Sequence, residues 1–171
     1  MDKDLEDLSV RVGAALLERK LMLACAESCT GGWVSEVVTA TAGSSQWFER
    51  GFITYSNAAK QELLGVRAET LRADGAVSEA VVREMAAGAL RRSHAQAALA
   101  ISGVAGPTGG SPGKPVGTLC FAWVLRGGEP TAETLHFPGD REAVRKQSVI
   151  HALQGLLRKL DEASTNIRVT D

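Results

Sequence analysis

Several features that mark common classes of protein are missing from this sequence. The formal net charge is −1 over 171 residues, so there is no excess of positive charge to attract a nucleic acid or an anionic membrane. No apolar run approaches the roughly 20 residues that a helix needs to span a bilayer. The N-terminus is polar and acidic, unlike a signal peptide. We therefore expect a cytoplasmic protein that binds neither nucleic acid nor membrane.

Cysteine is scarce, and the titratable residues show no metal-binding pattern. The three cysteines, Cys25, Cys29 and Cys120, lack the spacing of metal ligands. An odd, sparse set of cysteines is typical of a reducing compartment. No cluster of His, Cys, Asp or Glu has the spacing of a metal site either. We therefore expect a protein without a metal or another cofactor.

The composition is that of an ordinary globular domain. Hydrophobic residues make up 44% of the chain and charged residues 23%, which suffices for one domain with its own core. We expect this domain to span residues 1–160, with the last helix ending near Leu160. The polar residues 161–171 should form a frayed tail.

Hydrophobic periodicity predicts helices between the early strands and a hairpin at Gly127-Gly128 between the last two. The predicted strands are short apolar or alternating runs: 21–26, 51–56, 97–102, 116–126 and 132–137. Polar residues that should cap helices precede three of the helical patterns: Asn57, Ser78 and Asp140. Strands separated by helices favour a parallel sheet covered on both faces. We therefore expect an α/β fold with a mixed, mostly parallel sheet of about five strands.

The segment 26–32, which reads AESCTGG, lies between an apolar strand and the helix that begins near Trp33. The first N–H groups of a helix have no partner inside it. With the helix dipole they favour a phosphate or a developing oxyanion near Thr30, Gly31 and Gly32. Ser28 could then act as a nucleophile at the mouth of a pocket. Ser28 or Thr30 could equally cap the helix, and spacing alone does not separate the two interpretations.

Two further polar segments lie at the carboxyl ends of predicted strands. Tyr55 to Lys60 lie at the end of the second strand, whereas Ser102 and Gly103 lead into a loop rich in Gly and Pro that extends to Pro115. A loop of this length in a compact domain is usually functional or disordered. Ligands of open α/β sheets bind at the carboxyl ends of parallel strands. The sequence therefore predicts a ligand site where the three polar segments meet.

A serine nucleophile needs a base, and histidine is the usual one. None of the three histidines lies at the carboxyl end of a predicted parallel strand: His94, His136 and His151. A lysine can serve if burial lowers its pKa towards neutrality, and Lys60 is the candidate, although an ordinary surface lysine is the alternative. Arg141 and Arg145, one helical turn apart, could clamp a phosphate or lie on a solvated helix face.

Four segments together resemble the CinA C-terminal domain family. They are residues 26–32, residues 51–57 with Lys60, residues 102–107 and residues 114–118. The resemblance extends over about residues 5–160 and is strongest to the stand-alone members of the family. It implies a three-layer α/β/α sandwich that hydrolyses nicotinamide mononucleotide to nicotinate mononucleotide and ammonia, in pyridine nucleotide salvage. It also implies a homodimer or a larger homo-oligomer.

The resemblance further implies roles for individual residues. Ser28 would be the nucleophile, Lys60 the base that deprotonates it, and Tyr55 a support for that pair. Further residues would surround the substrate: Thr30, Gly31, Gly32, Ser102, Gly103, Arg141 and Arg145. One of the two arginines would face the phosphate. Backbone N–H groups of the turn at residues 30–32 or of the loop at Gly103 would hold the oxyanion.

Two other functions remain compatible with the sequence. A non-catalytic nucleotide-binding or regulatory module would bind the mononucleotide without releasing ammonia. A protein associated with competence or DNA repair would act through partners, although the near-neutral charge argues against direct contact with DNA.

Overall fold

The computed structural model describes residues 1–170, with the side chains of residues 1–166. Six helices and five strands follow one another along this part of the chain, with a short 3-10 turn at Ser44–Gln46 before the second strand. In chain order they are α1 (Lys3–Glu18), β1 (Leu23–Glu27), α2 (Trp33–Thr39), β2 (Phe48–Ile53), α3 (Asn57–Leu64), α4 (Ala68–Asp74), α5 (Glu79–Arg91), β3 (Ala97–Gly103), β4 (Thr118–Leu125), β5 (Thr131–His136) and α6 (Arg141–Thr170).

The strands form one sheet in the order β2-β1-β3-β4-β5. β1 pairs in parallel with both β2 and β3, whereas β4 pairs antiparallel with both β3 and β5. The predicted mixed, five-stranded sheet is confirmed. It is half antiparallel rather than mostly parallel, because no helix crosses over between β3 and β5 to return the chain to the same end of the sheet.

Helices cover both faces of the sheet, which makes three layers. α1, α2 and α6 bury one hydrophobic cluster and α3, α4 and α5 bury another. Successive residues of β1 alternate between the two, since Leu23 and Cys25 belong to the first cluster and Ala24 and Ala26 to the second. A strand buried on both faces explains why the sequence there is apolar without alternation. The α/β/α sandwich is therefore confirmed.

Helix ends agree with the predicted caps in two of three places. Ser78 and Asp140 accept hydrogen bonds from the first turns of α5 and α6, as predicted. The predicted cap of α3 at Asn57 is wrong by one residue. Ser56 accepts the bond from the Ala59 N–H at 3.0 Å, and Asn57 is already helical.

The last helix is longer than the sequence predicted. It continues through the polar tail to Thr170 instead of ending near Leu160. Arg19, at the end of α1, donates hydrogen bonds to Asp161 and Ser164 at 3.2 and 3.1 Å. The tail contains neither Gly nor Pro, so nothing in it breaks the helix. No helix among the described residues is long and apolar enough to cross a membrane.

Pairing beyond the ends of the parallel strands assembles the site. The Ser28 N–H donates to the Ile101 carbonyl of β3 at 3.0 Å, and the Thr54 N–H donates to the Glu27 carbonyl of β1 at 2.9 Å. Both bonds continue the ladder one residue past the strands. They bring the segments that follow β1, β2 and β3 to the same edge of the sheet, as expected of an open α/β sheet.

Candidate active site

The structure places the Lys60 amine beside the Ser28 hydroxyl. Ser28 follows β1 directly, whereas Lys60 lies on the first turn of α3, whose inward face it shares with Leu64 four residues later. Lys60 Nζ lies 3.0 Å from Ser28 Oγ and donates to the Thr54 carbonyl at 2.6 Å. Lys60 is 1% exposed and Ser28 is 8% exposed. The interpretation of Lys60 as a surface lysine is therefore wrong.

Burial favours the neutral form of this amine. It lowers the pKa of Lys60 from the ordinary lysine value, because a desolvated ammonium is disfavoured. The neighbouring Cys29 acts in the opposite direction, but burial raises the pKa of its thiol to about 11, so Cys29 carries no charge near neutral pH. No carboxylate in the described part of the chain hydrogen-bonds to Lys60. A neutral amine next to a hydroxyl can deprotonate it.

Glu27, not a hydroxyl residue, caps the helix that follows Ser28. Its carboxylate accepts from the N–H groups of Val34 and Ser35 at 2.9 and 3.0 Å, whereas Ser28 makes no bond to that helix end. The interpretation of Ser28 or Thr30 as the cap of α2 is thus wrong. The expectation that these first N–H groups are free to bind an anion is wrong as well, because the buried carboxylate occupies them.

The two glycines of the turn fit a backbone that other residues adopt poorly. Gly31 and Gly32 have φ values of +60° and +101°, in the left-handed region that favours glycine. A Cβ on Gly32 would lie 2.9 Å from Ile53 Cδ1. The Gly31 N–H donates to the Ser28 carbonyl at 3.0 Å and is not free for a ligand.

The residues at the end of β3 are held by packing and hydrogen bonds. Ser102 is buried and its hydroxyl donates to the Ala76 carbonyl at 2.8 Å. A Cβ on Gly103 would lie 2.8 Å from the Thr118 carbonyl oxygen of β4, so the strand pairing itself requires glycine there. Both residues line the same cleft as Ser28 and Lys60.

Tyr55 stands at the rim of this cleft and contacts an arginine. It is 64% exposed, and its hydroxyl accepts from Arg141 Nη2 at 3.1 Å. Arg141 Nη1 also donates to the Gly106 carbonyl at 2.7 Å, which ties the start of α6 to the loop after β3. Among the described residues, Tyr55 has no hydrogen bond to Ser28 or Lys60.

Arg145 binds the backbone of the turn that follows Ser28. It donates from Nε to the Cys29 carbonyl at 3.0 Å and from Nη2 to the Thr30 carbonyl at 3.1 Å. Its guanidinium lies 5.3 Å above the ring of Trp33, a cation–π distance. Two backbone carbonyls and an aromatic face thus fix its position.

Two adjoining clefts contain every residue that the sequence predicted for the site. The first, of about 280 Å³, is lined by Ser28, Tyr55, Lys60, Ser102, Gly103 and Arg141. The second, of about 710 Å³, is lined by Thr30, Gly31, Gly32, Trp33, Arg141 and Arg145. Arg141 borders both clefts. No histidine lines either one, and no group of three or more potential metal ligands exists in the described part of the chain.

Sequence reasoning missed Glu27 and Thr54. Glu27 is fully buried, and a carboxylate that ends an apolar strand is buried only when hydrogen bonds satisfy it. The hydroxyl residues Thr30 and Ser35, three and eight residues after Glu27, were the signal that could have revealed it. Thr54 contributes a backbone carbonyl, for which side-chain identity carries no signal.

Comparison with known proteins identifies the family of this chain. The chain matches the CinA C-terminal domain over residues 5–160. It is 56% identical over 155 residues to the nicotinamide-nucleotide amidohydrolase PncC of Escherichia coli K12, covering 91% of this chain and 94% of that protein. It is 53% identical over 165 residues to a putative competence-damage inducible protein of Symbiobacterium thermophilum, covering 92% of this chain but 39% of that one.

A solved structure has the same fold. The crystal structure of the competence/damage inducible protein CihA from Agrobacterium tumefaciens superposes with a TM-score of 0.88 at 42% identity. The superposition covers 92% of this chain and 96% of that one. Sequence and fold agree over nearly the whole length, and the chain belongs to the CinA C-terminal domain family.

Proposed function

We propose that the protein is an amidohydrolase that converts nicotinamide mononucleotide to nicotinate mononucleotide and ammonia. The observation that carries the proposal is the buried contact of 3.0 Å between Ser28 Oγ and Lys60 Nζ. The 56% identity to a nicotinamide-nucleotide amidohydrolase supports the choice of substrate. A serine with a desolvated amine as its base is a recognised arrangement for acyl transfer.

In the acylation step, neutral Lys60 takes the proton of Ser28 while Ser28 Oγ attacks the carboxamide carbon. The tetrahedral intermediate collapses as its C–N bond breaks, and Lys60 returns the proton to the departing nitrogen, which leaves as ammonia. A nicotinoyl ester on Ser28 remains. Water, deprotonated by Lys60, then attacks this ester, and Ser28 recovers its proton as nicotinate mononucleotide departs.

The oxyanion of each tetrahedral intermediate needs N–H donors. The N–H groups of Gly31 and Val104 already bond to the carbonyls of Ser28 and Thr118. The N–H groups of Thr30 and Ala105 make no hydrogen bond within the described residues, and both residues border the clefts. Of these two, Ala105 lines the cleft of Ser28, so we assign the oxyanion to the Ala105 N–H, which should contribute about 3 kcal/mol to the lowering of the barrier.

The second cleft suits the phosphate end of the substrate. Arg141 and Arg145 both line it, beside Gly31 and Gly32. Guanidinium groups bind phosphate oxygens in a fixed, planar geometry. With the carboxamide at Ser28, phosphate binding here uses energy remote from the reaction to orient the amide.

The proposal is tested by ammonia release. Purified protein is expected to release ammonia from nicotinamide mononucleotide, and far less from nicotinamide riboside or nicotinamide, which lack the phosphate. Ser28→Ala should abolish the release. If wild-type protein gives no ammonia above the Ser28→Ala background, the proposed function is refuted. Binding without ammonia would indicate a regulatory nucleotide-binding module, and absence of both would favour a competence or DNA-repair role.

We further propose that the enzyme acts in pyridine nucleotide salvage in the cytoplasm, without nucleic acid, as a homodimer or larger homo-oligomer. The near-neutral charge and the three buried, free cysteines support this setting. Exposed apolar side chains on α1, Val10 and Leu17, offer a surface that a second copy could cover. Light scattering coupled to gel filtration measures the assembly directly.

A further inference from the structure

Glu27 is an unusual carboxylate. It is completely inaccessible to solvent, and among the described residues its oxygens accept no bond from Lys, Arg or His. Taking an ionised carboxylate out of water is costly unless hydrogen bonds replace the lost hydration. Its presence directly before Ser28 therefore requires donors that are held in place.

Four donors satisfy the two oxygens. Oε1 accepts from Thr30 Oγ1 at 2.7 Å and from the Val34 N–H at 2.9 Å. Oε2 accepts from the Ser35 N–H at 3.0 Å and from Ser35 Oγ at 2.8 Å. The Glu27 carboxylate thus links the end of β1 to Thr30 within the turn and to the first turn of α2. Hydrogen bonds to a charged acceptor are about twice as strong as neutral ones.

We propose that Glu27 is the positioning residue of the nucleophile. Its carboxylate fixes the turn of residues 28–32 so that the Ser28 hydroxyl stays within reach of the Lys60 amine. The Ser28 N–H is held from the opposite side by the Ile101 carbonyl, so the turn is fixed at both ends. This role rests on the proposed hydrolysis by Ser28 and Lys60. Glu27 would take part in that reaction without touching the substrate or the base.

Glu27 acts by fixing the position of Ser28 and not by changing the pKa of Lys60. Burial raises the pKa of the Cys29 thiol, and the negative charge of Glu27 adds to that rise. The pKa of Lys60 is lowered by burial instead. A neutral substitute for Glu27 should therefore lower the turnover number and leave the pH midpoint of kcat/KM where it is in wild type.

Glu27→Gln is the test. Whichever way the amide is oriented, its NH₂ group faces the backbone N–H of Val34 or of Ser35, so one buried bond is lost and the turn loosens. We expect kcat to fall about 10- to 100-fold, the loss that follows a displacement of about 1 Å, with little change in KM. Phosphonylation of Ser28 by a fluorophosphonate should slow in parallel, since it reports how the hydroxyl is presented.

A matched control separates positioning from general destabilisation. Ser9→Ala removes a buried hydroxyl that contacts Thr41 Oγ1 at 2.6 Å, away from both clefts, and should keep the wild-type kcat. If Glu27→Gln does not fold, Thr30→Val removes one donor from the carboxylate and should lower kcat and the phosphonylation rate, whereas Thr30→Ser, which keeps the hydroxyl, should restore both.

Each result of these measurements either supports or overturns the positioning role of Glu27. Wild-type kcat and phosphonylation rate in Glu27→Gln or in Thr30→Val overturn the role of Glu27, as does an equal loss in Ser9→Ala. A shifted pH midpoint in Glu27→Gln would also overturn it, because the effect would then be electrostatic. These results leave the amidase function standing. A wild-type protein that releases no ammonia refutes that function instead.

Discussion

At the scale of single residues, burial shifts the pKa values of two side chains near Ser28 in opposite directions. Lys60 has its amine at the Ser28 hydroxyl and the Thr54 carbonyl, and burial lowers its pKa. The same burial raises the pKa of the adjacent Cys29 thiol to about 11. Low polarity disfavours whichever form is charged. Burial therefore favours the neutral amine and the protonated thiol, which supports the proposed roles of Lys60 as the base and Ser28 as the nucleophile.

Replacing Lys60 by methionine should remove the base and keep the packing. We expect kcat to fall at least about 100-fold, the usual contribution of a positioned base, while the affinity for nicotinamide mononucleotide changes little. Steady-state kinetics and calorimetric titration measure the two quantities. Lys3→Met, on the exposed face of α1, is the control and should behave as wild type. Near-normal turnover in Lys60→Met would exclude the lysine from the mechanism.

The depressed pKa of Lys60 also makes a prediction about stability. The folded protein releases the Lys60 proton at a lower pH than the unfolded chain, whose lysine has its ordinary pKa of about 10.4. Between these two values the unfolded chain binds more protons, so the free energy of unfolding rises with pH there. Relative to Lys60→Met, wild type should gain stability as pH increases through that window. Urea unfolding at several pH values checks this, and a flat difference would contradict it.

At the scale of elements, the site depends on a tight turn more than on a helix. α2 has seven residues, and the N–H groups of Val34 and Ser35 in its first turn donate to the Glu27 carboxylate. The start of α2 is therefore occupied by the carboxylate of Glu27 and is not open to an anionic ligand. The sharp return of the chain is made by Gly31 and Gly32, which place the following helix against β1.

Gly32→Ala should destabilise the fold through both its backbone and its contact. An alanine at φ +101° is strained, and its Cβ would meet Ile53 Cδ1 at 2.9 Å. Gly43→Ala is a matched control, because Gly43 has φ +83° but nothing within 4 Å of the added Cβ. We expect a loss of about 1 kcal/mol for Gly43→Ala and about 2–3 kcal/mol for Gly32→Ala, measured by urea unfolding. Equal losses would show that the Ile53 contact costs nothing.

At the scale of the whole molecule, the clefts of the candidate site and the end of α6 lie at opposite edges of the sheet. The residues that follow β1, β2 and β3 form the clefts at one edge. At the opposite edge, Leu21, Leu125 and Ala163 line a groove where α6 passes the start of β1. Ala163 and Ser164 of α6 line this groove, and neither of them lines the two clefts of the site.

A chain that ends at Leu160 should therefore keep its activity. It loses the hydrogen bonds of Arg19 to Asp161, which is exposed, and to Ser164, which is partly buried; together they are worth about 1 kcal/mol. We expect an unchanged kcat and a slightly lower melting temperature, measured by ammonia release and calorimetry. If the shortened chain folds fully but loses most of its activity, the prediction is wrong and the tail affects the clefts.

The sequence predicted the parts of this architecture that depend on local pattern. Apolar runs located four strands to within two residues at each end. β2 begins at Phe48 and ends at Ile53, three residues earlier than the predicted segment 51–56. Parallel pairing placed Ser28, Lys60 and Ser102 at one edge. The distance between Ser28 and Lys60, 32 residues apart in the chain, depends on sheet register and helix rotation, which no local pattern contains. The role of Glu27 was hidden for the same reason, since its partners become apparent only once the turn is closed.

The inaccessible thiols bear on the conditions in which such an enzyme works. All three cysteines are free and buried, and burial raises the pKa of each. Peroxides and alkylating agents attack the thiolate form, which is scarce here. The proposed nucleophile is a hydroxyl and the proposed base is an amine, so the proposed reaction does not depend on a thiolate. We therefore expect hydrolysis by this protein to continue under oxidative stress that inactivates thiol-dependent hydrolases.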